Sequence, residues 1–102
     1  MTIEFEWDPA KARSNLAKHG IDFEIATKVF EDPFALVEPD FSDSAEERWR
    51  TVGLVSGVLL LLVAHTVYEE DAVEVIRIIS ARRADPAERS NYESARRESS
   101  KF

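Results

Sequence analysis

Residues 73–83 read V-E-V-I-R-I-I-S-A-R-R, and this stretch decides the fold. Its β-branched residues are typical of a buried strand, which we predict over Val73–Ala81. Arg77 interrupts the apolar run, and Ser80 and Arg82 lie near its end. Because an unpaired guanidinium is costly to bury, Arg77 is expected on an open sheet face or beside an anion. A strand that brings arginines to one place is a way for a small protein to bind a phosphate.

The strands predicted before this one complete a small sheet. A short edge strand is expected at Thr2–Glu6, where Ile3 and Phe5 alternate with polar residues. The remaining segments are strands at Phe34–Val37, Glu47–Leu54 and Val58–Thr66, a polar loop over Glu38–Ala45, and an acidic turn over Tyr68–Ala72. Their short connections favour an antiparallel meander. Val58–Ala64 is almost entirely apolar, so we expect it at the sheet centre, antiparallel to Val73–Ile79 and beside it.

Three helices are predicted from their capping and stop signals. Asp8-Pro9 opens the first, which ends before Gly20; Asp22 caps the second, over Phe23–Glu31; and Asp85-Pro86-Ala87-Glu88 resembles a capping box that opens the last, over Pro86–Arg97. On the first helix, Lys11, Asn15 and Lys18 form a stripe that we interpret as a solvated face, with Ala12 and Leu16 toward the core. The last helix is poor in apolar residues, so we expect it to pack weakly and to fray at residues 98–102.

Composition limits the class of protein. A chain of 102 residues, 44% hydrophobic and 32% charged, is typical of one globular domain, here expected to span residues 1–102. It has no cysteine, which excludes disulfides and thiolate metal sites and is compatible with a cytoplasmic protein. The first residues do not resemble a signal peptide, and Val58–Ala64 is too short to cross a membrane.

The charge is acidic and unevenly distributed. The net charge is −7, of which −6 falls in residues 1–50 and −1 in residues 51–102. Acidity argues against non-specific affinity for nucleic acid, which comes from a basic surface. Any nucleic-acid site must therefore be a local cluster, and the acidic half suits a basic partner.

No metal or cofactor site is convincing in this sequence. His19 and His65 are the only histidines and lack the spacing of metal ligands. The carboxylates of the Asp40–Glu47 loop could bind a hard cation, but they lack the spacing of a calcium loop. The chain also has no glycine-rich phosphate loop.

An arginine set with nearby acid–base candidates remains. Arg48, Arg77 and Arg82 could clamp a phosphate and stabilise negative charge in phosphoryl transfer, with Ser80 adding a hydrogen bond. The candidate proton carriers are Glu47, His19 and His65.

Each candidate also has a structural interpretation. A histidine on an apolar strand, such as His65, is more often a core residue, and Glu47 may pair with Arg48 across strands. The structural interpretation of Arg77 and Arg82 is that they form ion pairs with Glu74 or with a helix carboxylate. Strand alternation also places these two arginines on opposite faces, so they converge only if the chain bends or bulges near Ser80-Ala81.

The sequence resembles the BrnT family of bacterial toxins over nearly its whole length. The resemblance rests on Phe5-Glu6-Trp7-Asp8, Lys11, Asn15, Lys18-His19-Gly20, Phe23, Val29-Phe30, Asp32-Pro33, Glu47-Arg48 ahead of Gly53, Arg77 to Arg82, Ala84, Glu88-Arg89 and Tyr92. The combination of Lys18-His19-Gly20 with Ile79-Ser80-Ala81-Arg82 is its specific part.

The resemblance implies an α+β, RelE-like fold with a small, mainly antiparallel sheet, two N-terminal helices packed on it and a C-terminal helix. It implies a metal-independent endoribonuclease without a cofactor, acting as the toxin of a type II toxin–antitoxin pair. The partner would be a BrnA-type antitoxin with a ribbon-helix-helix DNA-binding part, so that operator DNA is bound only through the antitoxin.

By motif position, the implied catalytic residues are Arg48, Arg77, Ser80 and Arg82. Further candidates for RNA binding or acid–base roles are Lys18, His19, Glu47, His65 and Tyr92. The alternative to an enzyme is a non-catalytic module that binds a partner or co-represses with it, and whose arginines are structurally paired.

Overall fold

The computed structural model describes residues 2–41 and 47–99. In chain order the elements are β1 (Thr2–Glu6), α1 (Pro9–His19), α2 (Phe23–Ala26) continued by a 3₁₀ helix (Thr27–Glu31), β2 (Leu36–Asp40), β3 (Arg48–Val55), β4 (Leu59–Glu70), β5 (Val73–Arg83) and α3 (Pro86–Ser99). This order of strand, helices, four strands and helix confirms the predicted α+β class.

The five strands form one mixed sheet in the order β1-β5-β4-β3-β2. The strands β2 to β5 make an antiparallel meander, and β1 pairs parallel to β5 at one edge. The apolar strand β4 is central and antiparallel to β5, as its composition predicts. A central strand is buried on both faces, so it needs an apolar residue at nearly every position. A strand with alternating apolar and polar residues can have only one of its faces buried.

Each face of the sheet has its own apolar cluster. On one face, Leu61 and Val63 of β4 pack with α1, α2 and the 3₁₀ helix. On the other face, Leu60 and Leu62 pack with Tyr92 of α3. The first cluster comprises Ile21, Phe23, Ala26, Val29, Val55, Leu61, Val63, Ile78 and Ala81.

Local capping explains where the helices begin and end. The Asp8 carboxylate accepts from the Ala10 N–H at 2.9 Å, and α1 ends at Gly20, whose φ of 72° is left-handed. Asp85 and Glu88 form the predicted capping box, since each carboxylate accepts from the other residue's N–H, at 2.8 and 2.9 Å. The predicted helix starts are therefore confirmed.

The interpretation of the α1 stripe is wrong at two residues. Leu16, expected in the core, is 50% exposed. Asn15, expected in solvent, is 6% exposed, and its amide binds backbone groups of Ile21 and Ala81. An amide that satisfies backbone groups can be buried at little cost, and helical spacing alone does not reveal such partners.

The acidic turn predicted over Tyr68–Ala72 is also wrong. β4 continues to Glu70, and the turn consists only of Asp71 and Ala72, whose φ angles of 51° and 64° are left-handed. This pair of angles is typical of a type I′ hairpin turn, which is usually built with glycine or asparagine. The sequence signal for that turn is therefore missing, while the acidic residues themselves are unusual in a strand.

The boundaries of the predicted loop before β3 also differ. β2 begins at Leu36 and includes Glu38 to Asp40, so this part of the predicted polar loop is strand. Residues 42–46 lie outside the described part of the chain, and so does most of the possible cation loop at 40–47. Among the described residues, no group of three or more His, Cys, Asp or Glu is arranged to bind a metal.

The final helix packs more specifically than its composition suggests. Tyr92 is 3% exposed, and its hydroxyl donates to the Asp32 carboxylate at 2.6 Å. The same carboxylate group accepts from the Phe34 and Leu54 N–H groups, so Asp32 joins three elements. Of the residues 98–102 predicted to fray, Glu98 and Ser99 still belong to α3, so the prediction is wrong there, and residues 100–102 lie outside the described range. No helix in the described ranges is long and apolar enough to span a bilayer.

Candidate active site

A β-bulge in β5 determines where its polar side chains point. Ala64 of β4 pairs with Ser80, whereas the next residue, His65, pairs with Ile78, so Ile79 has no opposite residue. A single extra residue reverses the alternation of side chains beyond it. The predicted irregularity is therefore present, one residue earlier than Ser80-Ala81.

The bulge brings the polar residues of β5 onto one face. Arg77, Ser80 and Arg82 lie opposite Thr66, Ala64 and Leu62, which alternate along β4 and share a face. The expectation from unbroken alternation, that Arg77 and Arg82 lie on opposite faces, is therefore wrong. Four residues of β4 separate the two positions, roughly 13 Å along the strand, and Ser80 lies between them.

Two arginines of β3 lie on the same face. Arg50 is opposite Ala64, and Arg48 precedes it by two residues on the same strand. We call this surface the arginine face, and it consists of Arg48, Arg50, Arg77, Ser80 and Arg82. Helix α3 packs at one end of the same face, against Val52 and Leu62, so it borders the arginines without covering Arg77.

Carboxylate partners on neighbouring elements bind Arg82, Arg50 and Arg77. Arg82 makes two parallel bonds to Glu88 of α3, at 2.8 and 2.9 Å. Arg50 bonds to Glu38 of β2 at 2.7 Å, and Arg77 lies 3.5 Å from Glu6 of β1. The last two pairs are exposed, and such pairs contribute little in water, so a phosphate can compete with them.

The Arg82–Glu88 pair has the strongest electrostatic coupling on this face. Hydrogen bonds from Arg82 lower the pKa of Glu88 below its ordinary 4.5, although partial burial opposes the shift. The same bonds raise the pKa of Arg82, so both groups are charged over the whole physiological range. The pair is bidentate, the stronger geometry for guanidinium and carboxylate.

The side chain of Asn15 in α1 contacts the edge of the sheet beside the bulge. β1 ends opposite Arg77, and beyond it the edge of β5 faces α1. There the Asn15 carbonyl oxygen accepts from the Ala81 N–H at 3.0 Å, and the Asn15 amide nitrogen donates to the Ala81 carbonyl oxygen at 2.8 Å. Asn15 thus continues the hydrogen bonding of an edge strand with a side chain.

This contact brings α1 next to Ser80. A shallow cavity of about 190 Å³ is lined by Lys11, Ser14, Asn15, Lys18, His19, Ile79 and Ser80. Lys18 and His19, at the end of α1, therefore lie near the serine of the arginine face. The structure groups these two predicted residues with Ser80.

The other candidates lie elsewhere. His65 is 2% exposed on the opposite face, where its Nε2 shares a 2.7 Å hydrogen bond with the Thr51 hydroxyl and its ring contacts Phe30. Burial lowers the pKa of His65 below 6.5, so the ring is neutral at pH 7. Tyr92 is held in the second apolar cluster, and burial with the bond to Asp32 raises its pKa to about 12. Glu47 is exposed directly before β3.

Sequence reasoning missed several members of the site. Arg50 shares the face of Arg48 by simple alternation, which would have identified it. The sequence also does not indicate which carboxylates pair with the arginines, namely Glu6, Glu38 and Glu88. A helix carboxylate is predicted as a possible partner of the arginines, but only the capping box, a local signal, marks Glu88 itself, and an ion pair across a turn has no such signal.

Comparison with known proteins finds a family and a solved structure that resemble this chain. Residues 7–88 match the family model described as "Ribonuclease toxin, BrnT, of type II toxin-antitoxin system". The fold is similar to the 1.1 Å crystal structure of the Brucella abortus ribonuclease toxin BrnT, with a TM-score of 0.62 and 25% sequence identity, covering 83% of this chain and 99% of that one. No curated protein matches the sequence.

The family match spans far more than half of the chain and includes both β5 and the Lys18-His19-Gly20 motif. The sheet and its three helices match the structure of a solved member. The chain therefore belongs to the BrnT family, the ribonuclease toxins of type II toxin–antitoxin systems.

Proposed function

We propose that the arginine face is the ribonuclease site and that it acts without a metal. Arg77 and Arg82 bind the phosphate that is cleaved, Arg48 assists from β3, and Ser80 donates a hydrogen bond. The observation that supports this most is the bulge at Ile79, since it puts Arg77, Ser80 and Arg82 on one face.

RNA carries its own nucleophile for this reaction, the ribose 2′-hydroxyl next to the cleaved phosphate. The ribose 2′-oxygen attacks the adjacent phosphorus, the bond to the 5′-oxygen breaks, and a cyclic phosphate and a 5′-hydroxyl are formed. Negative charge accumulates on the phosphoryl oxygens in the transition state. Guanidiniums match that charge with paired, planar donors, which lysine does not offer.

Two proton transfers complete the reaction. The 2′-hydroxyl loses a proton to a base, and the departing 5′-oxygen gains one from an acid. His19 is the best placed of the candidates, because it lies by the cavity that also contains Ser80, and histidine commonly transfers protons near neutral pH. Lys18, in the same cavity, would bind a flanking phosphate. Glu47 is a second candidate base, from the start of β3.

The buried candidates take no part in this proposal. His65 and Tyr92 are held by internal hydrogen bonds, so we assign both to the stability of the fold.

A type II toxin has a cognate antitoxin, and we propose that it is of the BrnA type. Its ribbon-helix-helix part would bind the operator, so that this chain reaches DNA only through it, in the cytoplasm. The −7 net charge supports a basic docking surface on the antitoxin. Association should then slow markedly between low and high salt, and a salt-independent rate would contradict this part.

One observation favours the non-catalytic alternative. Arg50, Arg77 and Arg82 each have a carboxylate partner, as expected of structurally paired arginines. Cleavage of RNA by the purified chain, freed of antitoxin, distinguishes the two. We expect cleavage that survives excess EDTA, together with growth arrest on expression. Loss of cleavage in EDTA would contradict the metal-free mechanism, and absence of cleavage in any buffer would favour the binding module.

A further inference from the structure

The geometry points to Glu88 as a positioning residue, which holds Arg82 by one edge so that the other edge of the guanidinium is presented to RNA. This inference rests on the proposed function, because orienting Arg82 matters only if Arg82 binds the phosphate. It adds to the proposed site a residue of the α3 capping box that is not among the predicted site residues.

The first argument is the count of donors on Arg82. A guanidinium has five N–H groups in a fixed plane. Nη1 donates to Glu88 Oε1 at 2.8 Å and to the Arg83 carbonyl oxygen at 3.2 Å, and Nη2 donates to Glu88 Oε2 at 2.9 Å. In the described part of the chain, the Nε–H and the second Nη2–H have no acceptor. These two form the side edge of the guanidinium, which is itself a bidentate phosphate-binding fork.

The second argument is the exposure of the two side chains. Glu88 is 14% exposed, whereas Arg82 is 39% exposed. The carboxylate is thus mostly covered, whereas more than a third of the Arg82 side chain is open to solvent. The donors of Arg82 that Glu88 does not use would allow a phosphate to bind without displacing the carboxylate.

The third argument is that Glu88 is itself fixed. Its Oε1 also accepts from the Asp85 N–H, and its own N–H donates to Asp85, within the first turn of α3. The helix is anchored further along by the bond from Tyr92 to Asp32. Arg82 is thus oriented from a rigid helix end, which is how a site keeps a long side chain from sampling other rotamers.

The opposite role for Glu88 makes the opposite prediction. If the carboxylate acts as an internal competitor of phosphate, its removal frees Arg82 and strengthens RNA binding. If it positions Arg82, its removal weakens cleavage, because the guanidinium becomes mobile.

The experiment measures kcat and KM for a short RNA with the wild type, Glu88→Gln, Arg82→Ala and the double variant. Glutamine keeps an oxygen for the Asp85 N–H but places an amide donor against Arg82. We expect Glu88→Gln to lower kcat on the order of tenfold, by analogy with residues that orient metal ligands. In the Arg82→Ala background the same change should have almost no effect.

Two controls separate positioning from folding. Glu93→Gln on the same helix removes an exposed carboxylate that lies 3.9 Å from Arg89, and it should leave kcat unchanged. Asp22→Ala weakens the cap of α2, which packs on the opposite face, and leaves the Arg82–Glu88 pair intact, so it should lower the melting temperature and not kcat. A decrease in kcat for Asp22→Ala equal to that of Glu88→Gln would show a merely structural role and overturn the inference.

The outcomes also distinguish the inference from the proposed function. If Arg82→Ala cleaves like the wild type, the proposed site is wrong and the inference falls with it. If Arg82→Ala is inactive while Glu88→Gln has wild-type kcat, only the inference is wrong. Faster cleavage or tighter binding by Glu88→Gln would show a competitor and overturn the positioning role.

Discussion

The two halves of β5 have different surroundings. Before the bulge, Val73–Arg77 is hydrogen-bonded on both sides, to β1 and to β4. After it, residues 80–83 pair with β4 on one side, while the amide of Asn15 bonds to Ala81 on the other. The regular half is paired on both sides, and the bulge puts Ser80 and Arg82 on the face of Arg77. The difference teaches that the proposed site depends on one extra residue in an otherwise regular strand.

The largest effect on stability is expected at Asn15, whose side chain bonds to the edge of β5 where a neighbouring strand would otherwise pair. Asn15→Ala leaves the N–H and carbonyl of Ala81 and the carbonyl of Ile21 without their partner. We expect the free energy of unfolding to fall by about 3 kcal/mol, because buried backbone groups lose hydrogen bonds. Urea unfolding measures it, with Arg13→Ala on the exposed side of α1 as control. A loss as small as that of the control would mean that water replaces the amide.

Neighbouring arginines on opposite faces give the next test. Arg82→Ala should lower kcat/KM about 100-fold, equivalent to about 2.7 kcal/mol, as for one lost preorganised donor. Its matched control is Arg83→Ala, since Arg83 lies opposite Leu61 and so on the other face. We expect the control to cleave RNA at nearly the wild-type rate. Equal losses in both variants would show that charge alone, and not the face, determines activity.

A smaller effect concerns acid stability after the bulge. The pKa of Glu88 is lowered on folding, so its pair with Arg82 contributes stability above pH 4.5, and the contribution is lost as the pH falls through the folded pKa. Glu88→Gln should therefore be less stable than the wild type at pH 7, by roughly 1 kcal/mol for a partly exposed pair. The two stabilities should converge as the pH falls through the folded pKa of Glu88. A difference that is constant with pH would exclude the carboxylate charge as its cause.

The smallest effect is expected at the hairpin turn of Asp71 and Ala72, which precedes β5. Ala72 has a φ of 64°, which strains a residue with a Cβ. Ala72→Gly should raise the free energy of unfolding by about 0.5 kcal/mol, because the greater chain entropy of glycine partly offsets the relief of strain, and it should leave cleavage unchanged. A destabilised variant would mean that the turn adopts another conformation.

Much of the fold was predictable because its signals are local. Proline and aspartate caps, Gly20 and the apolar run of β4 each act within a few residues, and they placed the helices and the central strand correctly. The turn at Asp71-Ala72 was missed because it forms without the glycine or asparagine that usually marks it. Its conformation is set by the pairing of the two strands.

The site was predictable in its residue types but not in its arrangement. Arg77, Ser80 and Arg82 were evident as polar residues in an apolar strand. The bulge depends on how β5 pairs with β4, and the role of Asn15 depends on a partner 66 positions away in the chain. No periodicity in the sequence encodes such contacts, so a stripe interpreted as solvated contained the residue that supports the site.

The most direct test of the account is a double-mutant cycle between Arg77 and Arg82 in RNA cleavage, because it asks whether the bulge makes them one site. The four proteins are the wild type, Arg77→Ala, Arg82→Ala and the double variant, with folding checked for each. If both arginines stabilise one phosphate, the double variant should lose much less activity than the product of the two single losses, since the first removal already disables the site. Single losses that multiply in full would show two independent arginines and would contradict the shared site.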